Sequence, residues 1–161
     1  MKKEQIITEP RVYLIGKQSI DEKMVKNFLD DEGCVFETDT EVPAEIIAEM
    51  AGRTCYMSFG KWRKTNSEYL ERIISSHHGS VLEHAVWNFL ITGVSRSLTH
   101  ELIRHRAGWA YSMLSQRYVD ESDARYVCPP LYRENKELYS KWLEAVEIAH
   151  KMYCDLVSAT E

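Results

Sequence analysis

Residues 85–94, AVWNFLITGV, form a near-continuous apolar run of β-branched and aromatic side chains, and this run constrains the fold more than any other stretch. It lacks the alternation of a half-solvated strand, so it reads as a strand covered on both faces. The flanking sequence supplies helices to do the covering. Ser95 opens SRSLTHELIRHRA, predicted as one helix running to Gly108. Thr65 and Glu68 have the spacing of a capping box ahead of a helix on which Leu70, Ile73, Ile74 and His77 share a face before Gly79. Ser19 and Glu22 repeat that spacing ahead of a helix with Met24, Val25, Phe28 and Leu29 inward and Gly33 at its end. Pro43 suits the first position of a short helix, AEIIAEMA, closed by Gly52. A last helix over 134–157 sets Leu138, Trp142, Ala145, Ala149, Met152 and Leu156 at three- and four-residue steps. RVYLI (11–15) and CVFE (34–37) read as short strands. Helices and strands mix without a strict βαβ rhythm, so the expected class is α+β, mixed helices and a central sheet with long helices.

The chain has 161 residues, 44% of them apolar and 28% charged, enough for one ordinary core, and a single domain over 1–161 is expected. MKKEQIITEPRVYLIG carries two lysines but no apolar core of a signal peptide, and no run approaches the roughly 18 apolar residues that span a bilayer. A cytoplasmic protein without membrane insertion is expected. Cys34, Cys55, Cys128 and Cys154 are widely spaced with no C-x-x-C pair, which favours reduced thiols over a disulfide framework or zinc ribbon. No metal is expected either. In HELIRH (100–105) the histidines stand five apart, about 140° around a helix, whereas a four-residue step would align them. His77, His78 and His84 lie across a Gly-containing turn, where turn or packing roles are commoner than ligation. Ser115 lacks the G-x-S-x-G context of a hydrolase nucleophile.

Charge is unevenly placed. The net charge is -5, yet the stretch from Arg96 to Arg117 holds four arginines against one acid, Glu101. A phosphate-tracking nucleic-acid binder spreads its cations over a whole face, so a local patch in an acidic chain fits a small phosphorylated ligand better. On the predicted helix, Arg104, His105 and Arg106 fan out at about 100° per residue and cannot grip one point. They suit an extended ligand or a subunit interface, although a helix C-terminus favours cations in any case. Tyr111, Ser112, Ser115, Gln116, Arg117 and Tyr118 follow, and give phosphate, sugar and planar ring each a partner type.

RHR, eight residues, then the Ser of S-Q-R-Y (104–118) closely resembles the signature of the flavin-dependent thymidylate synthases. AGRTCYMSF (51–59), HGSVLEH (78–84) and HELIRHR (100–106) agree, in the family's order. The resemblance implies a thymidylate synthase-complementing-like fold and a cytoplasmic homotetramer with FAD where subunits meet. By the same resemblance Arg104, His105 and Arg106 are among the flavin contacts, His78 and Ser80 match its His-x-Thr/Ser contacts, and Cys55 matches a small polar position nearby. Glu101 stands where Gln is usual in the nucleotide site, and Arg104, Leu114, Ser115, Gln116 and Arg117 match dUMP-binding positions. Arg104, Ser115 and Arg117 are the residues expected to matter most for catalysis, with Ser115 positioning substrate. The implied reaction is reductive methylation of dUMP to dTMP, with methylenetetrahydrofolate as one-carbon donor and NADPH-reduced FAD as reductant.

The chain departs from the pattern in two places. Met113 stands where Glu or Gln usually contacts nucleotide and flavin, and a thioether cannot make those hydrogen bonds. The chain also ends at KMYCDLVSATE, where the family continues with a further segment that carries arginines and Asn contacts. The alternative expectation is therefore a catalytically impaired FAD- or nucleotide-binding fragment of such an enzyme.

Overall fold

The computed structural model describes residues 5–61 and 65–160; residues 1–4, 62–64 and 161 lie outside that description. The chain is α+β and divides into two compact units. One is Tyr13–Leu90, and the other joins the stretch up to Val12 with that from Ile91 onward.

In the Tyr13–Leu90 unit, α1 (Glu22–Asp31) starts at Asp21, whose carboxylate accepts the Met24 amide at 3.0 Å. The expected Ser19/Glu22 box is corrected by one turn-entry residue: Asp21 sits three positions before the amide it caps, where Ser19 cannot reach. Gly33 takes φ +63°, the left-handed conformation that ends the helix. The predicted strand at 34–37 does not form. Phe36 instead meets Phe59 edge-on, as does Phe28, in an aromatic cluster without a strand partner.

Helix α2 (Pro43–Cys55) starts at its proline as expected but runs through Gly52. That glycine is a packing position rather than a terminator: a Cβ on it would meet the Tyr69 hydroxyl at 2.4 Å. Helix α3 (Asn66–Ser75) is capped by the Thr65 side chain, which accepts the Glu68 amide at 3.1 Å. Its buried face is Asn66, Tyr69 and Ile73, while Ile74 points to solvent. Tyr69, Ile73 and Val81 form the core with Ala51, Leu70 and Leu82 packed around them. Each such fully buried side chain contributes about 1.5–3 kcal/mol. Val81 belongs to a 3-10 helix (Gly79–His84).

Strand β2 (Arg11–Lys17) pairs with β3 (Trp87–Thr92) in a two-stranded sheet. Gln18 clamps the two strand ends, donating to the His84 carbonyl at 2.8 Å and accepting the Val86 amide at 2.7 Å. The expectation that the apolar run is covered on both faces does not hold within this chain. Leu14 is 54% and Leu90 52% exposed, and the sheet gains no further strand among the described residues.

In the other unit, β1 (Ile6–Ile7) pairs parallel with β4 (Tyr126–Val127), Ile6 opposite Tyr126 and Ile7 opposite Val127. The expected central sheet is thus two separate two-stranded sheets among the described residues. Helix α4 spans Arg96–Leu102, α5 Pro130–Arg133 and α6 Lys136–Ser158. Asn135 caps α6 by accepting the Glu137 and Leu138 amides. The covered stripe of α6 is Tyr139, Trp142, Leu143, Val146, His150, Tyr153, Cys154 and Val157. Of the predicted inner stripe, Trp142 alone is covered, and Leu138, Ala145, Ala149, Met152 and Leu156 lie on the exposed side. The helix carries two apolar stripes, and the polar partners choose between them. His150 Nδ1 lies 3.1 Å from the Tyr126 hydroxyl, and the Tyr153 hydroxyl accepts the Glu121 amide at 3.0 Å.

Candidate functional site

The arginine patch is built on α4 and the loop after it. Ser95 caps α4, its hydroxyl accepting the Leu98 amide at 3.2 Å. The helix then stops seven residues on, well short of the expected Gly108. The Arg104 amide bonds to the Glu101 carbonyl and that of His105 to Leu102, a tightening to three-residue steps that unwinds the helix. The His105 carbonyl accepts the Tyr111 hydroxyl at 3.0 Å, so the loop folds back onto the backbone that would have carried another turn. Gly108 has φ +71°, which turns the chain where a Cβ would be strained.

Arg104, His105 and Arg106 therefore lie in a turn, not on a helix, and their spread follows the turn. The 140° argument against the His100/His105 pair lapses with it, since His100 alone is helical. All three side chains of the triplet are exposed, and among the described residues Arg104, Arg106 and Arg117 form no ion pair. Free guanidinium groups close in sequence leave positive charge for an anion.

Arg96 fixes the loop's far end by donating to the Leu114 carbonyl at 2.7 Å. That bond presents Met113 and Leu114 to solvent and leaves Ser115 half-buried. The Ser115 hydroxyl accepts the Arg117 amide at 3.2 Å, and the Arg117 guanidinium lies 5.4 Å from the Tyr118 ring centre. Trp109 and Tyr111 stack in parallel at 5.9 Å. Glu101 and Gln116 are exposed on the same stretch. The structure thus places Glu101 in the last turn of α4, and Arg104, His105, Arg106, Met113, Leu114, Ser115, Gln116 and Arg117 on the turn and loop that follow it.

Cys55, His78 and Ser80 belong to the Tyr13–Leu90 unit. Cys55 ends α2 as an exposed free thiol. His78 precedes the 3-10 helix, Ser80 is exposed within it, and His77 before them takes φ +58°. The Tyr56 and His78 rings stack at 6.1 Å with 22° between their planes. Both rings are exposed, and together they offer a flat face beside a hydroxyl-bearing turn. Among the described residues no group of three or more His, Cys, Asp or Glu side chains could hold a metal ion, and no helix is long and apolar enough to cross a membrane.

Sequence reasoning missed a buried cluster in the same unit. Glu49 is 2% and Arg53 6% exposed. Arg53 donates Nε and Nη2 to Glu49 Oε1 at 2.8 and 2.5 Å, and the other carboxylate oxygen accepts Thr38 Oγ1 at 3.0 Å and Asn66 Nδ2 at 2.8 Å. The guanidinium lies 4.9 Å from the centre of the Tyr69 ring. Its sequence signal was a Glu and an Arg four residues apart in a largely apolar helix, a pattern that ordinarily marks a solvated pair.

A family model described as thymidylate synthase complementing protein matches residues 38–161. A protein of Mycobacterium sp. (strain KMS) named flavin-dependent thymidylate synthase is 46% identical over 129 residues, covering 78% of this chain and 50% of the relative. Proteins of that name from Mycobacterium bovis (strain BCG / Pasteur 1173P2) and Mycobacterium tuberculosis (strain ATCC 25177 / H37Ra) are 43% identical over 154 residues, covering 94% of this chain and 58% of each relative. This chain thus spans little more than half the length of these relatives. With the family model covering the arginine triplet, the loop after it and the His78 turn alike, the chain belongs to the thymidylate synthase complementing protein family, that of the flavin-dependent thymidylate synthases.

Proposed function

We propose that this chain carries the flavin- and nucleotide-binding part of an enzyme that converts dUMP to dTMP by reductive methylation, with methylenetetrahydrofolate as one-carbon donor and NADPH as the source of reducing equivalents. The observation that carries the proposal is the Arg104–Tyr118 segment, whose arginines form no ion pair among the described residues and stand exposed, with the half-buried Ser115 hydroxyl beside them, in a chain similar to proteins named for this activity.

The residues fit FAD by their chemistry. A dinucleotide needs cations for its phosphates and a flat face with polar neighbours for its ring system. In their own unit Arg104, His105 and Arg106 offer cations of the first kind; in the Tyr13–Leu90 unit, taken by itself, Tyr56–His78 with Ser80 and Cys55 offers groups of the second kind. When bound, FAD supplies the redox chemistry that no side chain can. Arg104 and Arg117 hold phosphate and stabilise negative charge growing on the uracil ring. Ser115 and Gln116 orient the nucleotide, with Leu114 and Met113 against it. Glu101 makes the contact made elsewhere by an amide, as an acceptor only. A cytoplasmic homotetramer is part of the proposal, and the uncovered apolar β2 and β3 favour self-association.

The test is reconstitution with FAD, gel filtration, and titration of the yellow complex with dUMP. Comigrating flavin whose visible spectrum shifts with dUMP is the expected result, with both responses weakened in Arg104→Ala and the dUMP response weakened in Ser115→Ala. Protein that retains no flavin at mild salt overturns the reading. Turnover of dUMP, methylenetetrahydrofolate and NADPH by the same sample separates an active enzyme from a binding fragment.

A further inference from the structure

The buried Glu49–Arg53 pair reaches beyond its own helix. Arg53 Nη1 donates to the carbonyl of Ser58 at 3.1 Å and to that of Lys61 at 3.0 Å, so one guanidinium grips the loop after α2 at two points. The Arg53 carbonyl closes the near side of that loop by accepting the Ser58 amide at 2.9 Å. Between these ties the chain turns sharply, with Met57 at φ +42°, a conformation that costs a non-glycine residue energy and persists only when its surroundings enforce it. Tyr56 sits at the start of this loop. The other half of its stack is fixed independently, because the His78 amide bonds to the Ile73 carbonyl at 3.1 Å at the end of core helix α3. The fork itself cannot drift. Glu49 is held by Thr38 and Asn66, and the guanidinium is packed between Tyr69 and Phe36, at 4.9 and 5.9 Å from their ring centres.

We infer that Arg53 is a positioning residue: anchored by Glu49, it holds the 56–61 loop in the strained turn that sets the Tyr56 ring parallel to His78, and thereby shapes the flat face offered to a planar ligand ring. The inference rests on the reading of His78 as a flavin contact. A mere stabilising role for a buried ion pair needs only the bonds to Glu49; the two carbonyl bonds are what tie the pair to the stack. Lysine at 53 keeps the charge but, as a point donor, cannot serve Glu49 and two carbonyls in the planar geometry of a guanidinium.

The experiment follows the His78 ring-proton signal in protein labelled at its six histidines, without cofactor, assigned with His78→Gln. Tyr56→Ala gives the position of that signal without the stack. In Arg53→Lys the signal moves most of the way toward it, while the other histidine signals keep their places and so report an intact fold. A His78 signal unmoved in Arg53→Lys overturns the inference. If Arg53→Lys does not fold, the double variant Glu49→Gln/Arg53→Gln, which leaves no buried charge unpaired, is read by the same two criteria. FAD titration completes the test. Arg53→Lys and Tyr56→Ala each weaken FAD binding roughly two- to tenfold, the size of one aromatic stacking contact, and the two combined are no weaker than Tyr56→Ala alone. Additive losses, or a moved signal with unchanged FAD affinity, overturn it as well. Wild-type protein that binds no FAD defeats the flavin reading, and the His78 signal then decides the positioning role by itself.

Discussion

Replacing Gly52 by alanine sets two opposed effects against each other on α2. Alanine is the better helix former by about 0.8–1.0 kcal/mol in a helix interior. The new Cβ, however, would stand 2.4 Å from the Tyr69 hydroxyl oxygen and 3.3 Å from Cε1 and Cζ of the same ring. The ring has little freedom to retreat, being 7% exposed with the Arg53 guanidinium 4.9 Å from its centre. Overpacking of this kind costs about 1–3 kcal/mol, so the net change is a loss of about 0–2 kcal/mol. Deleting the offending atom isolates the cause. In Tyr69→Phe the nearest ring atoms are those at 3.3 Å, tight but tolerable, and Gly52→Ala then stabilises by its helix propensity. Urea unfolding of the wild type, both single variants and the double variant gives the coupling, expected at about 1–3 kcal/mol in favour of the double. Additivity within about 0.5 kcal/mol, or a stabilising Gly52→Ala with Tyr69 intact, refutes the reasoning.

Glu49→Ala should lower stability by about 3–5 kcal/mol in the same assay, because Arg53 is left buried without its partner; a loss under about 1 kcal/mol contradicts the buried-pair account. Burial first, then the nearby Cys154 and Glu121, raise the Tyr126 phenol above its ordinary 10.0. The folded state therefore holds that proton more tightly than the unfolded chain does. Its contribution is fully present below pH 10.0 and is lost as pH rises through the folded value, so Tyr126→Phe should unfold with a shallower alkaline decline than the wild type. Equal slopes for the two proteins tell against this. Met113→Gln restores a donor and an acceptor on the exposed loop and should tighten dUMP binding about two- to tenfold by calorimetry, the worth of one ordinary side-chain hydrogen bond. Unchanged affinity would mean that Met113 does not face the nucleotide.

Local signals written into single residues were legible. Pro43 opens its helix, Thr65 and Ser95 cap theirs, and Gly33 ends α1 with a left-handed turn. What failed were readings that depend on a partner. CVFE has the composition of a strand but finds no neighbouring edge, and β-propensity alone does not create one. Helix α6 is apolar on two stripes, so periodicity could not tell the side taken by Tyr139, Val146 and His150 from the side of Leu138, Met152 and Leu156. The end of α4 was hidden because Ile103 and the residues after it keep a helical pattern, while the loop's own bond from Tyr111 to the His105 carbonyl claims the backbone. In the candidate site the order of motifs was plain from sequence. Arg53 was not, since nothing in the spacing of Glu49 and Arg53 tells a buried fork from a solvated pair.

The parallel pairing of β1 with β4 bears on the order in which the chain is made. The Gln5 side chain bonds to the Ala124 carbonyl 119 residues away, beside the paired strands. At a synthesis rate of about 5–20 residues per second, the first strand waits roughly 6–24 s for its partner to leave the ribosome. Closing a loop of that length costs about 4 kcal/mol by its dependence on length alone, which a two-residue strand pair cannot repay unaided. The contiguous Tyr13–Leu90 unit has no such delay, because its core of Tyr69, Ile73 and Val81 is complete once residue 90 has emerged. Vectorial synthesis thus gives the stacked Tyr56–His78 face a head start over the arginine loop, and leaves Ile6 and Ile7 as an open strand edge for a chaperone to cover in the interval.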